Sequence, residues 1–552
     1  MRQVVVGIIV GLLTSGLMVG EVWLNLDKPL RPRDDITWQY FLFDNNFRKL
    51  TQGEFGELFN ARMFYPREKT LAYGNSLLGQ SLLGLPAYLL TGDVVTAANS
   101  VILIDLVLAF GAMYLLAYRF THSTSSGLIA GMIYTYNPYV MAHLHHEQLV
   151  LQWLPLLFLL VELLLERVTW WWSVALGGTA LMLLISSFYY ALFALVIVPM
   201  YALMRWWQKG RKEIFWKPLF GVGLVVAVVG WGYLGPFRAV REEYGVKRSI
   251  ALVELLSANP QDYLFTAPNN WLYGWWAESP LRDSFAREHP TEHSLFPGLV
   301  GYGFLALAVW MIIKKKGTSW PMLQIWLVML GIGVVLSLGP RFLVYRLIYT
   351  VVPGADSVRA VSRWAVMGFL SLAVLSALGW QYVSKKLFRF APRGLVLALL
   401  LLGVEYRTVG WVEPFSISEE LRTFYQWLDQ DEESQVIVEL PIANDLENSP
   451  GFARSFYDDG QYLLYATWHD KALVNGHHSF IPEDAYAMGR KLTAQFPTQE
   501  KLDELRRMGV DVVSVHEEEY GEKQVGEKVV RELRELGLEE AYNRGGVHGF
   551  RL

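Results

Sequence analysis

The sequence predicts an α-helical polytopic membrane protein with a small C-terminal α/β domain. Of its 552 residues, 53% are hydrophobic and only 18% are charged, and the mean hydropathy is +0.25. Soluble domains carry about 25% charged residues, so this balance favours a membrane protein. Long apolar segments recur along the chain as far as residue 409, and beyond Pro414 they give way to frequent charged residues.

The apolar segments have the length of membrane-spanning helices. Each runs for about 15 to 25 residues, the range expected of tilted helices in a hydrocarbon core roughly 30 Å thick. The first has no Ala-x-Ala-like cleavage residues near its end, so we expect an uncleaved helix rather than a signal peptide. The stretch 77–90 contains Gly84 and Pro86 and is interpreted as a span, a re-entrant piece or an interfacial helix. The eleven predicted spans are 4–24, 94–118, 127–141, 148–165, 173–187, 188–204, 218–237, 296–313, 321–338, 361–383 and 394–409.

The distribution of basic residues predicts the orientation of the chain. With a cytoplasmic N-terminus and with 77–90 left out of the count, the run Lys314–Lys316 and the other basic connections face the cytoplasm. The loops 25–93, 238–295 and 339–360, the segment around 137–148 and the tail then lie outside. We therefore expect a transmembrane domain at 1–410, with large outer loops 25–93 and 238–295, and an extracytoplasmic domain at 411–552. The compartment predicted is the cytoplasmic, or inner, membrane.

The tail has the alternation of a small α/β domain. Strands are predicted at 435–440, 472–474 and 510–515, and helices at 498–508 and 528–536. The tail lacks a glycine-rich phosphate loop, so nothing supports nucleotide binding, and no nucleic-acid partner is expected. The chain has no cysteine, which excludes disulfides, thiolate catalysis and Cys-ligated zinc.

The first loop carries the leading candidate for catalysis. Asp34 and Asp35 follow the first span by about ten residues, and Asp44 lies further along among aromatic residues. If 35–44 is helical, residues 34, 38 and 41 share one face. A carboxylate held against aromatic rings beside a bilayer can act as a general base. The alternative is a solvated loop head or a helix N-cap.

A second group of polar residues follows Asn137-Pro138-Tyr139. His143 and His146 are three residues apart and can meet on one helical face, and Glu147 could complete a divalent site. The same side chains could instead form a polar wall that hydrogen-bonds a sugar or phosphate, or lie at the interface without a role.

A third group lies before the span 361–383. Arg359 and Arg363 are four residues apart, so on a helix they align and could clamp a lipid phosphate or pyrophosphate. The alternative is interfacial snorkelling. Glu292, before the span 296–313, is a candidate second carboxylate of the site or a residue at a helix start.

Together these motifs resemble the GT-C superfamily of integral-membrane glycosyltransferases, and more closely a prokaryotic branch of GT-C-type proteins. The resemblance covers nearly the whole chain. The motifs that carry it are Asp34-Asp35, Phe64-Tyr65-Pro66, Leu71-Ala72-Tyr73, Asn137-Pro138-Tyr139 with His143, Ser294–Gly298, Pro353–Arg363, Leu440-Pro441 and Leu473–Gly476.

The resemblance implies inverting transfer of a hexosyl or pentosyl group from a polyprenyl-phosphate donor to a glycan, lipid or protein acceptor in the cell envelope. Asp35, or Asp34, would deprotonate the acceptor hydroxyl, and Arg359 or Arg363 would stabilise the departing phosphate. His143, His146, Glu147, Glu292 and Asp44 would line the substrate site. Some members use Mg or Mn, for which Asp35, His143 and Glu147 are candidate ligands, but the adjacent Asp-Asp departs from their Asp-x-Asp pattern.

Two other functions fit a polytopic protein. A lipid or polysaccharide transporter would place charges mid-span and show repeated halves, whereas here the spans hold few carboxylates, Asp105 and Glu162 among them. A non-catalytic GT-C scaffold could instead serve assembly through its C-terminal domain.

Overall fold

The computed structural model describes residues 2–32, 34–144, 146, 149–210, 216–278, 291–315, 320–386, 391–410, 413–442, 458–494, 496–520 and 523–552. The chain forms two compact units. The first comprises Met1–Leu24, Val101–Leu234 and Gly245–Trp411. The second comprises Asn25–Ser100, Gly235–Tyr244 and Val412–Leu552.

Helices make up the regular secondary structure of the first unit's described residues, which agrees with the predicted fold class. Its α-helices are Arg2–Met18, Gly20–Leu24, the greater part of Val94–Thr121, Thr124–Tyr136, Pro138–Ala142, Trp153–Glu166, Trp170–Ser186, Phe188–Gln208, Trp216–Tyr233, Ile250–Leu255, Gly274–Ala277, Leu299–Ile313, Trp320–Ser337, Leu343–Val351, Ala365–Lys386 and Ala391–Glu405. Short 3₁₀ turns connect them at Pro260–Leu264, Gly339–Arg341, Ala355–Ser357 and Val361–Trp364.

Each of the eleven predicted spans overlaps at least one of these helices. By length and composition, three segments of the described chain are clearly able to cross a membrane: Val94–Thr121, Phe188–Gln208 and Val361–Lys386. Four apolar helices are shorter: Arg2–Met18, Trp170–Ser186, Leu299–Ile313 and Pro321–Ser337.

The helix Ala365–Lys386 lies at the centre of the first unit. It is buried along most of its length and packs against Thr124–Tyr136, Leu299–Ile313 and Trp320–Ser337. Its Gly368 meets Gly333 of the neighbouring helix, where a Cβ on Gly333 would lie 2.6 Å from the Gly368 nitrogen. Small residues at this crossing therefore allow the two backbones to approach closely, as they do in membrane helix pairs.

The second unit combines helices with one mixed sheet. Its α-helices are Asp35–Gln52, Leu78–Thr91, Gly235–Tyr244, Glu419–Gln430, Asp458–Tyr465, Glu483–Ala494, Gln499–Met508 and Lys523–Glu535. Its strands are β1 Val436–Leu440, β2 Ala472–Leu473, β3 Val512–His516, β4 Glu539–Arg544 and β5 Val547–Arg551. The stretch 77–90 is thus a helix, and the predicted strands and helices of the tail are present.

The sheet has the strand order β2-β1-β3-β5-β4. β1 pairs in parallel with β2 and β3, while β5 pairs antiparallel with β3 and β4. The β4–β5 hairpin was not predicted. Its turn is Gly545-Gly546, both with positive φ, a pair that suits a two-residue hairpin loop.

A segment of the first loop extends the sheet beyond β2. The Arg62 carbonyl accepts from the Leu473 amide at 2.9 Å, and the Tyr65 amide donates back to the Leu473 carbonyl at 2.8 Å. The Phe64 amide donates to Asn475 at 2.9 Å. Backbone pairing therefore joins the first loop to the C-terminal residues in one compact unit, whereas the sequence analysis places them in separate domains with a boundary at 410/411.

Candidate functional site

Asp34 and Asp35 lie at the start of the helix Asp35–Gln52, and both are partly exposed. Asp34 is the N-cap in extended conformation, and its carbonyl accepts from the Thr37 amide at 3.0 Å. Its carboxylate forms an ion pair with Arg31 at 2.9 Å. The Asp35 carboxylate accepts instead from the indole N–H of Trp38 at 3.2 Å. The two neighbouring carboxylates thus differ in charge environment.

Trp38 connects the start of this helix to the C-terminal residues. Its ring lies 5.4 Å from the ring of His477 and 5.2 Å from that of His478, between centroids. The helix Asp458–Tyr465 packs against the same face, where a Cβ on Gly460 would contact Thr37 and Trp38 at 3.3 to 3.5 Å. The surroundings of Asp35 therefore include side chains from far along the chain.

His478 is buried and neutral. Burial, followed by the neighbouring His477, lowers the pKa of His478 from 6.5 to about 3. Its Nδ1 accepts from the Ser479 amide at 2.9 Å, which a neutral imidazole can do and a doubly protonated one cannot. A Cβ on Gly74 would clash with the imidazole, so the packing requires glycine at this position.

Asp44 is fully buried and holds two arginines. Its Oδ1 pairs with Arg48 Nε at 2.7 Å, and its Oδ2 pairs with Arg62 Nη2 at 2.6 Å. Arg48 also donates to the Thr467 carbonyl at 3.0 Å, and Arg62 donates to the His469 carbonyl. Both carboxylate oxygens are thus used in tying the first loop to C-terminal residues. The predicted substrate contact of Asp44 stays a prediction.

In the first unit, Glu292 and Arg363 form a bidentate ion pair. Arg363 Nη2 lies 2.5 Å and Nε 3.1 Å from Glu292 Oε1, and both side chains are 13% exposed. Burial alone would raise the pKa of the Glu292 carboxyl, but Arg363 and then His143 outweigh it and lower that pKa to about 2. The Arg363 guanidinium also lies over the Tyr189 ring, 4.9 Å from its centroid. Glu292 is therefore an ionised partner of Arg363.

His143 and His146 are both buried, but they do not share a helical face. The short helix Pro138–Ala142, which Asn137 caps, ends before His143, and that prediction is wrong because the backbone at His143 leaves the helix (φ −127°, ψ 44°). Nδ1 of His143 lies 2.7 Å from the Tyr139 carbonyl. Glu147 lies outside the described residues.

Arg359 stays exposed and lies close enough to Arg248 for its positive charge to act on that residue. Burial, and then the nearby Arg359 cation, lowers the pKa of Arg248. The Arg248 amide donates to the Asp356 carbonyl at 2.9 Å, which joins the two loops. The Arg359 amide donates to the Tyr189 hydroxyl at 3.3 Å.

The predicted alignment of Arg359 with Arg363 on a helix is wrong. Arg363 belongs to the 3₁₀ turn Val361–Trp364, and Arg359 precedes that turn. Arg359 therefore does not share a helical face with Arg363, whose guanidinium is bound to Glu292. The residue on which the Arg359 charge acts is Arg248.

A divalent-cation site is not assembled among the described residues. They contain no group of three or more His, Cys, Asp or Glu side chains placed to hold a metal ion. Of the candidate ligands, Asp35 and His143 belong to different units, and Glu147 is not described. The metal site therefore stays a prediction from the sequence.

Sequence reasoning missed Arg248, His477 and His478. The histidines directly follow the motif Leu473–Gly476, and Arg248 lies beside Lys247 in the long loop. Their positions next to this motif and next to Lys247 were the features of the sequence that could have pointed to them. Only the folded chain brings Arg248 to Arg359, and His477 to Trp38.

Solved structures with the same fold were found at low sequence identity, whereas no protein-family model and no curated protein matches the chain. Arabinofuranosyltransferase AftD from Mycobacteria superposes with a TM-score of 0.59 at 13% identity, over 100% of this chain and 40% of that chain. ArnT from Cupriavidus metallidurans, bound to undecaprenyl phosphate, superposes with a TM-score of 0.50 at 11% identity, over 99% of this chain and 97% of that chain. Both are GT-C membrane glycosyltransferases.

The chain has the GT-C fold. The resemblance seen in the sequence motifs is thus confirmed at the level of the fold. The chain spans about 40% of the length of the AftD chains that it matches, and almost the whole length of ArnT. At 11–14% identity, the structural similarity establishes the fold. The activity has to be argued from the chemistry of the residues.

Proposed function

We propose that this protein is an inverting membrane glycosyltransferase that moves a sugar from a polyprenyl-phosphate donor to an acceptor hydroxyl. The GT-C fold supports it, and ArnT, which shares that fold, was solved with undecaprenyl phosphate. The observation that carries the proposal is Asp35. Its partly exposed carboxylate stands at the start of the first-loop helix and accepts a hydrogen bond from a neutral indole.

Asp35 is the general base in this proposal. Its carboxylate takes the proton of the acceptor hydroxyl as the oxygen attacks the anomeric carbon from the face opposite the phosphate. Asp34 is less suited to this role, because the Arg31 guanidinium is bound to one of its oxygens at 2.9 Å and competes with a substrate hydroxyl. Trp38 fixes the orientation of the Asp35 carboxylate.

Arg359 and Arg248 bind the donor phosphate. As the bond between the anomeric carbon and the phosphate oxygen breaks, the electron pair leaves with the phosphate, and two guanidinium groups stabilise the charge that develops. Arg363 is a positioning residue instead, since its guanidinium is held by Glu292 at 2.5 Å. It contacts the ring of Tyr189, whose hydroxyl accepts from the Arg359 amide.

The active site faces away from the cytoplasm in this proposal. The first loop and the C-terminal residues are extracytoplasmic, because the basic connections of the helical unit mark the cytoplasmic side. The acceptor is a glycan, lipid or protein of the cell envelope.

Transfer from a polyprenyl-phosphate sugar by the purified protein tests the base. We expect Asp35→Asn to lower kcat by about 10²- to 10⁴-fold, the usual contribution of general base catalysis. Asp34→Asn should lower it less, since its carboxylate already pairs with Arg31. Undiminished kcat in Asp35→Asn would refute the assignment.

Two further variants distinguish the loss of the general base from the general effects of removing a charge or disturbing the fold. Asp27→Asn removes an exposed carboxylate of the same loop and should leave turnover unchanged. Arg359→Gln should chiefly raise KM for the lipid donor, whereas Asp35→Asn acts on kcat. Absence of transfer by the wild-type protein with every polyprenyl-phosphate sugar supplied would favour a transporter or a scaffold.

A further inference from the structure

The helical unit contains a buried ionic cluster that the proposed reaction does not use. Glu162 of Trp153–Glu166 accepts from Arg205 at 2.5 and 2.7 Å through its two oxygens. The Tyr201 hydroxyl donates to the same carboxylate at 2.9 Å, and Lys209 Nζ lies 3.3 Å away. Two cations thus share one carboxylate, which leaves the cluster with one net positive charge.

This cluster forms one wall of a cavity of about 350 Å³, a volume in the range of sites for small ligands. Arg205, Gln208 and Lys209 supply the polar side. The opposite walls are apolar, and the described residues that form them are Phe120, Pro321, Met322 and Leu378. The Arg205 side chain is only 8% exposed, whereas that of Lys209 is 23% exposed.

The cavity lies at the opposite end of the helices from Glu292 and Arg363. Leu378 is thirteen residues beyond Ala365, where the central helix begins after the turn that holds Arg363, which corresponds to about 20 Å. Arg205 is sixteen residues beyond Tyr189, the ring contacted by Arg363, or about 24 Å along its helix. The two sites are therefore separated by most of the thickness of a hydrocarbon core.

The effect of basic residues on membrane orientation does not by itself account for the cluster of Glu162, Arg205 and Lys209. Basic residues that fix orientation can lie in solvated loops. Here a guanidinium is buried with a carboxylate, and removing two charges from water is costly unless the pair is used or fully compensated. The second cation adds charge that Glu162 does not neutralise, and it stands at a cavity whose other walls are apolar.

We propose that this cavity, which we call the Arg205 cavity, binds the phosphate headgroup of an anionic membrane lipid. Lys209 contacts the phosphate, Arg205 stays paired with Glu162 in the wall behind it, and the apolar walls contact the first carbons of the lipid. The position of the cavity at the ends of the apolar helices Phe188–Gln208 and Pro321–Ser337, where the headgroup layer of a bilayer lies, supports a lipid rather than a soluble anion. This site is independent of the glycosyl-transfer site.

The test measures binding of fluorescent phosphatidylglycerol to the full chain in neutral-detergent micelles. We expect phosphatidylglycerol to bind at least about tenfold more tightly than phosphatidylcholine, since a net positive site favours an anionic headgroup. Lys209→Gln should weaken phosphatidylglycerol binding about tenfold, and Lys209→Arg should restore it. Met322→Trp, which fills the cavity without changing charge, should also weaken it.

Three controls show whether a change in lipid affinity comes from the Arg205 cavity. Lys385→Gln removes an exposed cation from the end of the central helix, outside the described lining of the cavity, and should leave the affinity unchanged. The melting temperature of each variant without lipid shows whether it is folded, and Lys209→Gln leaves the Arg205–Glu162 pair intact. Equal affinities for the two lipids, or equal losses in Lys209→Gln and Lys385→Gln, would overturn the site. Displacement of the lipid by inorganic phosphate at the same concentration would overturn the lipid as its ligand.

Discussion

At the scale of single residues, Asp34 and Asp35 are chemically identical but have different partners. Arg31 pairs with Asp34 at 2.9 Å, and the Trp38 indole donates to Asp35 at 3.2 Å. A lone pair already bound to a guanidinium is less available to a substrate proton. The difference follows from positions within the first turn, since Asp34 caps the helix and Asp35 lies one turn below Trp38.

His478 provides a test of burial near Asp35 that does not require activity. Its pKa of about 3 lies below the ordinary value of 6.5, so the unfolded chain binds a proton that the folded chain does not. Its contribution to stability is therefore complete above pH 6.5 and is lost as the pH falls towards 3, with a slope of at most about 1.4 kcal/mol per pH unit. We expect the melting temperature of His478→Gln to fall less steeply than that of wild type between pH 6.5 and 4.

The exposed residue His122 supplies the control for this measurement. His122→Gln should retain the wild-type dependence on pH, since this substitution leaves the buried imidazole of His478 in place. Parallel curves for His478→Gln and wild type would contradict the burial of a neutral imidazole at this position.

At the scale of elements, the helix Asp35–Gln52 is held to C-terminal residues by Asp44, Arg48 and Arg62. In the sequence, a helix over 35–44 was only a condition for a shared face, and in the structure the helix extends to Gln52, where Gly53 ends it in the left-handed conformation. Arg48, four residues after Asp44 on the same helix, is a local partner, whereas Arg62 lies eighteen residues away and beyond a turn and was not predictable.

Loss of the Asp44 charge should loosen this attachment. Asp44→Asn removes the buried counter-ion of Arg48 and Arg62, which then retain the exposed carboxylate of Asp470, and breaking a buried ion pair costs about 3–5 kcal/mol. We expect a clear fall in the melting temperature of the detergent-solubilised protein.

Glu54→Gln is the matched change at the surface. It breaks the pair between Lys49 and Glu54, whose side chain is 46% exposed. Such pairs contribute at most about 1 kcal/mol, so the midpoint should barely move. Equal effects of the two substitutions would show that the Asp44 cluster does not hold the loop.

At the scale of the whole molecule, the orientation of the chain can be measured directly because the protein has no cysteine. A single cysteine at Glu54→Cys should react with a membrane-impermeant thiol reagent in intact cells. A cysteine at Lys385→Cys should react only after the membrane is permeabilised. Both residues are exposed in the structure, so burial would not prevent the reagent from reaching either cysteine.

The opposite labelling pattern would reverse the orientation derived from the basic loops. It would also move the proposed transfer reaction to the cytoplasmic side. Labelling of both positions from outside would mean that 77–90, or another segment, crosses the membrane and changes the count.

The sequence by itself determined the helical membrane class, the location of the apolar helices, and three strands and two helices of the tail. Apolar runs of the length of a bilayer are local signals, and Thr498, Gly509 and Gly537 mark helix ends through local capping chemistry. The order of weak motifs was sufficient to indicate the GT-C fold. It also identified Asp35, Arg359 and Glu292 as residues of interest.

Only the tertiary structure decided which side chains meet. Glu292 binds Arg363 across seventy-one residues, and Trp38 contacts His477 across more than four hundred. The pairing of 62–65 with β2 joins the first loop to the tail through backbone hydrogen bonds, which carry no side-chain signature in the sequence. Such contacts arise when distant segments pack together, so neither periodicity nor spacing along the chain encodes them.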